Sequence, residues 1–500
     1  MRIRARRPAG LLFAALALAA CDSAREESAE LLIRDVTIIS PELGEPVVNG
    51  WVTVANGNVV ATGTGTPPAA ATVIDGEGRF LTPGLIDSHV HLASVPGMTF
   101  PPPAELEALV HAYAEQLPRS YLYFGYTTLI DLAVMDRDFL DRFESRPLHP
   151  DLYDCDGPLA MANGYPMAFL PPETRFVHSP NFLYDERQAE GIPDAYRPED
   201  HTPAAAVARV AGHGGICVKS HWETGFGPLS GLPTPTEEMF AEVIDASRAH
   251  GLVVTLHANS LEGHQFATAA GVDVIVHGLW NAPAGPDAAL HEDVTDVLDA
   301  TLAKDIGYMP TMQVLEGMGL MFDPGFLDDP LLAAVLPGEL IEWYRTPEGR
   351  WFAEELGAEF GGMEDADIRD RYESGFGALE TSQKTVGYLA ARGGRLLFGS
   401  DTPSSPTYGN PPGYNGYLEM QNLVEAGVSL SQLLAMATIE NAKAFGLEDR
   451  YGSIEPGKIA NLLLLQRNPL DTVDAWNSIE TVILHGKPID RESLAAASRP

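Results

Sequence analysis

The sequence predicts an α/β protein, in which a (β/α)8 TIM barrel is joined to a small β-sandwich domain formed by both chain ends. Two observations support this fold class. Across residues 86–445, short apolar runs alternate with helical stretches, which is the pattern of a parallel sheet with helical crossovers. Toward both ends of the chain, shorter apolar runs alternate with turn residues, which is typical of antiparallel strands.

The central span contains eight strand-like runs, and eight such units favour a closed barrel. We predict that these runs end near His91, Asp131, Leu159, Lys219, His257, His277, Thr311 and Asp401. In this fold the loops that follow the strands build the active face of the barrel. The residues at these eight ends are therefore the first to examine for chemistry.

The central span also contains two long insertions, because it exceeds the roughly 250 residues that are typical of this fold. One is a Pro-rich stretch at residues 164–203, and the other covers residues 315–372. Both follow predicted strands, so we expect both to lie at the catalytic face as lids or substrate walls.

The two ends of the chain share one pattern. Residues 31–85 contain the runs LLIRDVTII, WVTVANGNVVATG and TVIDGEG, and residues 446–500 contain ANLLLLQ and ETVILHGKPI. Neither segment is long enough to form an independent sheet with a good core. We therefore predict that the two segments pair into one β-sandwich domain.

The composition excludes some classes of partner. Lys and Arg number 32 against 69 Asp and Glu, which gives a formal net charge of −37. Nucleic-acid binding draws most of its affinity from basic surface, so we expect no nucleic-acid partner. The apolar fraction of 45% is ordinary for a globular protein, and the excess acid predicts a well-solvated surface.

The first residues predict export. Four arginines among the first seven residues precede an apolar run at 11–20, which is too short to span a bilayer. We interpret residues 1–20 as a signal peptide and residues 21–30 as a linker. The run LAAC resembles a bacterial lipoprotein signal, in which Cys21 would become the lipidated N-terminus on the periplasmic side of a membrane. The alternative is an ordinary cleaved signal and a soluble periplasmic or secreted protein.

The remaining cysteines, Cys155 and Cys217, predict neither a disulfide framework nor a zinc cluster in a chain of this size. In the run GICVK, Cys217 lies one layer beneath Lys219 on the inward face of its strand. We therefore expect Cys217 to be a small core residue.

The run IDSHVHL contains the first group that points to chemistry. Successive side chains of a strand point to opposite faces, so His89 and His91 point the same way. At the C-terminal end of a barrel strand that direction is inward, where two imidazoles would hold one metal ion. An isolated H-x-H pair is weak evidence, because it also occurs for structural reasons.

Four further residues have the same position at other predicted strand ends: Lys219, His257, His277 and Asp401. Each has a structural alternative, such as a satisfied core histidine, a salt bridge at the rim or a carboxylate that accepts backbone hydrogen bonds. Separate structural roles do not explain why all six residues fall on one rim. The combined pattern therefore favours a shared metal site.

These runs resemble the amidohydrolase superfamily, near its imidazolonepropionase-like and prolidase-like branch. The matching pieces cover most of the chain after the signal: FLTPGLIDSHVHL, GICVKSHWETG, LVVTLHANS, AAGVDVIVHG, LLFGSDTP, ATIENAKAFGL and YGSIEPGKIANLLLL. In the last piece, Asn461 stands where the family usually has Asp, at a structural turn outside the site.

The resemblance implies a ligand set. His89, His91 and Asp401 would bind one metal, His257 and His277 a second, and a carbamylated Lys219 would bridge them. Two Zn²⁺ ions fit these ligands, and residue type does not exclude manganese, cobalt or iron. Water activated by the metals would attack the carbonyl carbon, with Asp401 as the catalytic proton shuttle. A one-metal site with an unmodified Lys219 is the alternative.

The sequence thus predicts a hydrolase that cleaves an amide-type C–N bond in a small molecule, such as a dipeptide, an N-acyl amino acid or a cyclic amide. The second hypothesis is a mononuclear deaminase or an imidazolonepropionase-like ring opener, for which Glu262 is the residue to inspect. The third is a catalytically silent, ligand-binding lipoprotein. By position, the polar substrate contacts would be His221, Glu223, Tyr308 and Gln313. The substrate identity and a homo-oligomeric state stay open.

Overall fold

The computed structural model describes residues 29–227, 229–283, 289–373, 377–404 and 406–496. The predicted signal peptide, with Cys21, lies outside the described residues. Within the described ranges, no helix is both long and apolar enough to cross a membrane.

The chain alternates strands and helices through its centre and is rich in strands at both ends. The strands are β1 (Ala29–Ile38), β2 (Val47–Ala55), β3 (Asn58–Thr64), β4 (Ala70–Asp75), β5 (Phe80–Pro83), β6 (Leu85–Val90), β7 (Tyr126–Asp131), β8 (Asp151–Asp154), β9 (Cys217–His221), β10 (Gly225–Phe226), β11 (Leu229–Ser230), β12 (Val253–His257), β13 (Val274–Val276), β14 (Gly307–Met309), β15 (Leu462–Leu465), β16 (Ile479–Leu484) and β17 (Lys487–Asp490). The helices are α1 (Glu107–Tyr123), α2 (Arg137–Glu144), α3 (Arg175–His178), α4 (Pro203–Gly212), α5 (Glu237–His250), α6 (Leu261–Ala270), α7 (Glu292–Ala303), α8 (Gln313–Leu320), α9 (Pro330–Val335), α10 (Gly338–Tyr344), α11 (Trp351–Ala358), α12 (Asp365–Glu373), α13 (Ala378–Ala390), α14 (Tyr414–Glu425), α15 (Leu430–Ala435) and α16 (Asn441–Ala444).

Strands from both chain ends lie in one eight-stranded sheet, in the order β17-β16-β15-β5-β1-β2-β3, with β4 paired to β1. The junction is β5, which runs parallel to β1 and antiparallel to β15. The inner side chains form a separate apolar cluster that includes Ile33, Leu81 and Leu464. The two ends are thus joined by hydrogen bonds, and the two-layer sandwich packing stays a prediction.

Two parallel sheets occupy the central span, one in the order β6-β7-β8 and the other in the order β14-β13-β12-β9. Backbone hydrogen bonds connect them, since Ile216 N donates to Asp154 O at 2.9 Å, beside β8 and β9. On the far side, segment 395–402 bonds to β14 through Leu397 N and Tyr308 O at 2.9 Å, and to the end of β6 through His91 N and Thr402 O at 2.8 Å. The strand ends of both sheets therefore point to one common face.

Local signals place the strands that carry the candidate site. Helix α5 begins after Thr236, whose side chain accepts a hydrogen bond from Met239 N, and ends at Gly251 in the left-handed conformation. Helix α6 begins after Ser260 and ends at Gly271 in the same way. Glycine adopts this conformation without a steric penalty, so each helix stops sharply just before the next strand. The ends of these two helices therefore set where β12 and β13 begin.

Six of the eight predicted strand ends lie within two residues of the end of an observed strand, which is the usual uncertainty of such boundaries. The eighth run, predicted to end near Asp401, forms isolated bridges at Leu396 and Thr402 in place of a strand. The third prediction is also wrong, because β8 ends at Asp154 and Leu159 forms only an isolated bridge with Ser220. After β8, Cys155 N still donates to Asp131 O of β7 at 2.9 Å, and the chain turns at the next residue, Asp156, which has a positive φ of 56°. An apolar run does not reveal such a turn.

The first insertion, residues 164–203, is built from short helical turns around a small apolar cluster that includes Met167, Phe176 and Phe182. The second, residues 315–372, contains most of α8 and α12 and the whole of α9, α10 and α11. Its apolar side chains, among them Leu332 and Leu340, belong to the main core. Neither insertion is a loose loop.

Cys155 and Cys217 form a disulfide bond across a sequence separation of 62 residues. The expectation that Cys217 is only a small core residue is therefore wrong. Cys155 follows β8 and Cys217 begins β9, and the hydrogen bond between Ile216 and Asp154 holds these two chain segments side by side. Both cysteines are fully buried, and Cys217 lies two residues before Lys219 in β9.

Candidate metal centre

Three acceptor atoms converge at the end of β6. His89 Nε2 lies 3.0 Å and His91 Nε2 lies 2.9 Å from the same oxygen, Asp401 Oδ1. The two imidazole nitrogens are themselves only 3.2 Å apart. The alternation of side chains along β6 brings the histidines to one side, as the sequence predicted, and Asp401 reaches them from segment 395–402.

The other three predicted residues border this group. Lys219 Nζ lies 3.3 Å from His89 Nε2. The ring centroid of His277 lies 5.2 Å from that of His89 and 4.4 Å from that of His257. Ligand atoms of His89, His277 and Asp401 all lie within 4.8 Å of one another, which is close enough for a single ion. The structure thus brings all six predicted residues together.

Burial sets the charge states of these groups. It lowers the pKa of His89 to about 3 and, with Lys219 nearby, holds the pKa values of His257 and His277 well below their usual range. Burial also lowers the pKa of Lys219 to about 7. For Asp401, burial raises the pKa, but the neighbouring histidines outweigh it and hold the pKa well below the usual range. The site thus combines neutral imidazoles with an ionised carboxylate.

Two of the site residues have unusual backbone conformations. His277 has a φ of 77° and Asp401 a φ of 54°, and Thr311, at the end of the next strand, has a φ of 48°. Residues other than glycine rarely adopt positive φ values, and such strain concentrates at functional sites. The surrounding hydrogen bonds have to stabilise these conformations.

Sequence reasoning missed the residues that make those hydrogen bonds. The Thr311 hydroxyl lies 2.7 Å from His277 Nδ1, which fixes the ring with Nε2 free. Asp87 accepts hydrogen bonds from the backbone of Ser400 at 2.9 Å and of His89 at 3.2 Å. Burial raises the pKa of Asp87 to about 7. Its position two residues before His89, on the same face of β6, was a signal in the sequence.

Asn415 supports the other flank of Asp401. From α14, its Nδ2 donates to Ser400 O and to Thr402 Oγ1, both at 2.7 Å. These bonds hold the residues on either side of Asp401. The sequence carried no comparable signal, because Asn415 lies on a helix far from any strand end.

The donor set fits a divalent metal ion. The two imidazole nitrogens, 3.2 Å apart, both face the single oxygen Asp401 Oδ1, and a cation among them would accept a lone pair from each of the three atoms. Imidazole nitrogen with carboxylate oxygen is a ligand combination that zinc and similar metals prefer.

The four predicted substrate contacts separate into two pairs. The ring of His221 lies 5.3 Å from that of His257, and Glu223 Oε2 lies 3.9 Å from His257 Nε2, so both border the centre. Tyr308 instead packs outward, with its hydroxyl 3.2 Å from Thr385 Oγ1 on α13. Gln313 accepts a hydrogen bond from Asn422 on α14. Tyr308 also accepts a hydrogen bond from Leu279 N, and Gln313 O accepts one from Asn410 Nδ2, so these described hydrogen bonds do not involve the six residues of the centre.

Glu262, the residue to inspect under the deaminase hypothesis, lies in the first turn of α6 and is exposed to solvent. Its carboxylate is absent from the described hydrogen bonds and ion pairs of the centre. The orientation of α6 therefore gives this glutamate no role at the site.

Parts of the chain are similar to known proteins. Residues 377–489 match the model of the amidohydrolase family. The 5-methylthioadenosine/S-adenosylhomocysteine deaminase of Teredinibacter turnerae is 41% identical over 58 residues, 12% of this chain and 13% of that protein. The D-hydantoinase of Streptomyces coelicolor is 24% identical over 221 residues, 41% of this chain and 43% of that protein. The matches therefore span less than half the length of these curated relatives.

The likeness of fold extends over nearly the whole chain. A solved structure of a Xaa-Pro dipeptidase with bound methionine has a TM-score of 0.64 at 20% identity, covering 92% of this chain and 99% of that chain. This likeness indicates a TIM-barrel-type fold of mixed α and β content. The match to the amidohydrolase family model concerns residues 377–489, and the structural likeness, at 20% identity, concerns the fold.

Proposed function

We propose that the chain is a metal-dependent hydrolase that cleaves an amide-type C–N bond in a small molecule. The observation that carries this proposal is the convergence of His89, His91 and Asp401 on one point, bordered by Lys219, His257 and His277. The proposed substrate is a dipeptide, an N-acyl amino acid or a cyclic amide. The names of a dipeptidase and a hydantoinase among the similar proteins support this range.

Each residue has a role in this proposal. His89, His91 and Asp401 would hold one divalent metal, and His257 and His277 a second, with Zn²⁺ the best match to the ligands. When bound, the metals would supply Lewis acidity and make water a nucleophile near neutral pH. Asp401 stays ionised and lies inside the centre, so it would accept the proton of the attacking water and deliver it to the leaving nitrogen.

We propose that Lys219 carries a carbamate that bridges the two metals. Its Nζ lies 3.3 Å from His89 Nε2 in a fully buried position, where an ammonium would repel a metal held by that histidine. Reaction of the neutral amine with carbon dioxide forms an N–C bond and releases one proton, which gives an anionic two-oxygen ligand. The alternative is a one-metal site with an unmodified lysine.

Metal analysis of the purified protein tests this proposal, together with hydrolysis of a panel of dipeptides, acyl-amino acids and cyclic amides. We expect about two metals per chain and hydrolysis that is lost on chelation. Lys219→Ala should lower the metal content and the activity together, and small carboxylic acids should restore both. Lys384→Ala, on the exposed face of α13, is the matched control. Unchanged metal content in Lys219→Ala would refute the bridge.

A mononuclear deaminase is the second candidate function. The short match to a deaminase favours it, as does the group of His89, His277 and Asp401, which is compact enough for one ion. The exposed position of Glu262 weighs against it. One metal per chain, with release of ammonia from aminopurines and no cleavage of amides, would establish this alternative.

We also propose that the central strands close into a (β/α)8 barrel and that the terminal sheet packs as a β-sandwich. The hydrogen bonds of segment 395–402 to β14 and to the end of β6 support closure. Helices α4, α5, α6, α7 and α13 lie between successive strands, as barrel topology requires.

For location, we propose an exported lipoprotein anchored through Cys21, with a soluble periplasmic or secreted protein as the alternative. The disulfide between Cys155 and Cys217 supports export, because disulfides persist in oxidising compartments. Fractionation of cells that express Cys21→Ser tests the anchor. The variant should leave the membrane fraction, and a variant that stays bound would contradict lipidation.

A further inference from the structure

Five aromatic rings form a closed circuit over one side of the metal centre. Tyr165 lies 4.7 Å from His257, His257 lies 4.4 Å from His277, and His277 lies 5.7 Å from Trp280, all between ring centroids. Phe226 completes the circuit, at 6.1 Å from Trp280 and 5.7 Å from Tyr165. These separations are typical of attractive aromatic pairs.

The three rings that are not histidines come from separate parts of the chain. Tyr165 belongs to the first insertion, Phe226 to the hairpin of β10 and β11, and Trp280 to the loop after β13. Each is partly exposed, whereas His257 and His277 are buried. We name Tyr165, Phe226 and Trp280 the aromatic wall, because they lie between the inner histidines and solvent.

Two polar groups accompany the aromatic wall. Trp280 Nε1 is buried and has no hydrogen-bond partner among the described residues, which is costly for an indole N–H. Glu223 is buried as well, with Oε1 accepting a hydrogen bond from Gly225 N at 2.9 Å and Oε2 lying 3.9 Å from His257 Nε2. A ligand with a carbonyl oxygen would satisfy the indole donor.

The charges near the aromatic wall disfavour an anionic ligand. The carboxylate of Glu223 is buried, and its Oε2 lies 3.9 Å from Nε2 of His257, the ring against which Tyr165 packs. No arginine takes part in the described ion pairs of His89, His91 and His257, so these contacts include no guanidinium that would receive a free carboxylate.

We infer that the substrate presents an uncharged aromatic ring beside its scissile amide, and that Tyr165, Phe226 and Trp280 select it. The inference rests on the proposed hydrolase function and narrows its substrate class. Neutral aryl amides fit the wall, and ligands that carry a free carboxylate on the ring do not. The ring packs against Tyr165 and Phe226, and a carbonyl oxygen accepts the hydrogen bond of Trp280.

Calorimetric titration of the full-length, Zn²⁺-loaded protein tests this inference. The probes are benzamide, cyclohexanecarboxamide, which has a saturated ring of similar size, and 4-carbamoylbenzoate, which adds a distal carboxylate. We expect benzamide to bind about tenfold more tightly than either of the others. Equal affinity for benzamide and cyclohexanecarboxamide, tighter binding of 4-carbamoylbenzoate, or no binding of benzamide would each overturn the inference.

Substitutions in the aromatic wall test whether its rings cause the preference for benzamide over cyclohexanecarboxamide. Phe226→Leu should remove the preference for benzamide over cyclohexanecarboxamide, whereas Phe352→Leu, a partly buried phenylalanine of α11, should keep it. Tyr165→Leu provides a second variant if Phe226→Leu fails to fold. Trp280→Phe retains a ring and loses the donor, so it should weaken benzamide binding about fivefold. A preference that survives both leucine variants of the wall would refute its role.

A substitution of Glu223 tests whether its carboxylate disfavours anionic ligands. Glu223→Gln keeps the shape and removes the carboxylate, so 4-carbamoylbenzoate should approach benzamide in affinity. An unchanged gap between these two probes would contradict this part of the inference.

The hydrolysis panel distinguishes failure of the proposed hydrolase function from failure of the aromatic preference. Absence of metal-dependent cleavage of every amide tested would refute the proposed function, whatever benzamide binding shows. Cleavage that is strongest for aliphatic dipeptides with a free carboxylate would leave the hydrolase standing and refute the aromatic preference.

Discussion

His277 shows how a single residue of the centre depends on its immediate neighbours. Its ring is buried and neutral, its backbone has a positive φ, and its Nδ1 is occupied by the Thr311 hydroxyl. A histidine with one nitrogen fixed in this way presents the other to a metal in a defined direction. The alternation of side chains predicted where His277 points, but it contained no information about Thr311 as its partner.

Thr311→Val should weaken metal binding, because valine keeps the shape of threonine and removes the hydroxyl that orients His277. Loss of such a partner costs about 10–100-fold in metal affinity. Competition with a chromophoric chelator would measure it. Thr301→Val is the matched control, since Thr301 is also buried and its hydroxyl donates to Val297 O within α7. Equal losses in the two variants would show that the effect is not specific to the centre.

The pair of His485 and Asp151 predicts a pH dependence of stability. His485 Nε2 lies 2.8 Å from Asp151 Oδ1, and this hydrogen bond raises the pKa of His485 above its ordinary value of 6.5. The folded state thus binds the proton more tightly than the unfolded state. The stabilisation is complete below the unfolded pKa and is lost as the pH rises through the raised folded pKa.

His485→Gln should therefore lose stability below about pH 6.5 and approach the parent protein as the pH rises further. Thermal unfolding at a series of pH values would show the two curves converge at alkaline pH. His250→Gln, at the exposed end of α5, should leave the curve of the parent protein unchanged. A constant offset between His485→Gln and the parent would contradict the linkage.

At the scale of elements, neighbouring strands create contacts that no single strand predicts. The parallel pairing of β9 with β12 places Lys219 beside Thr255 and His221 beside His257, so one register sets the positions of several site residues. The disulfide joins the start of β9 to the segment after β8 beneath that layer. We regard the disulfide as a support for the strand that carries Lys219.

Replacement of both cysteines, Cys155→Ala with Cys217→Ala, should destabilise the protein. A disulfide that closes a loop of 62 residues restricts the unfolded chain and contributes about 2–4 kcal/mol. Denaturant unfolding of parent and variant would measure the difference. A reductant should destabilise the parent under denaturing conditions and leave the variant unaffected. A variant as stable as the parent would show that the bond contributes nothing.

At the scale of the whole molecule, the two chain ends depend on each other. Strand β5 from the N-terminal segment lies between β1 and β15, and Leu464 of β15 pairs with Leu81 of β5. Both leucines are buried in the same apolar cluster. The N-terminal strands therefore cannot complete their core until the last part of the chain has been added.

Leu464→Ala should lower the free energy of unfolding by about 2–5 kcal/mol, which is typical of a buried leucine truncated to alanine. The side chain of Leu464 has a relative exposure of 1%, so its truncation would leave a cavity in the apolar cluster. Leu43→Ala, at an exposed position between β1 and β2, should have little effect. Comparable losses in both variants would contradict the proposed dependence on the joint core.

The sequence by itself predicted which candidate ligand residues share a common face. His89, His91, Lys219, His257, His277 and Asp401 were identified because side chains alternate along a strand and parallel strands share one active end. Pairing of the chain ends was also predictable, since neither end has enough apolar residues to form a core alone. These conclusions depend on the local periodicity of apolar and polar residues, which can be read directly from the sequence.

The tertiary structure alone decided the contacts between residues far apart in the chain. The disulfide, the hydrogen bonds of Thr311 and Asn415, and the outward packing of Tyr308 follow from how strands and helices are placed beside one another. The aromatic wall unites an insertion, a hairpin and a loop in the same way. Spatial proximity arises from packing in three dimensions, and the spacing of residues along the chain does not encode it.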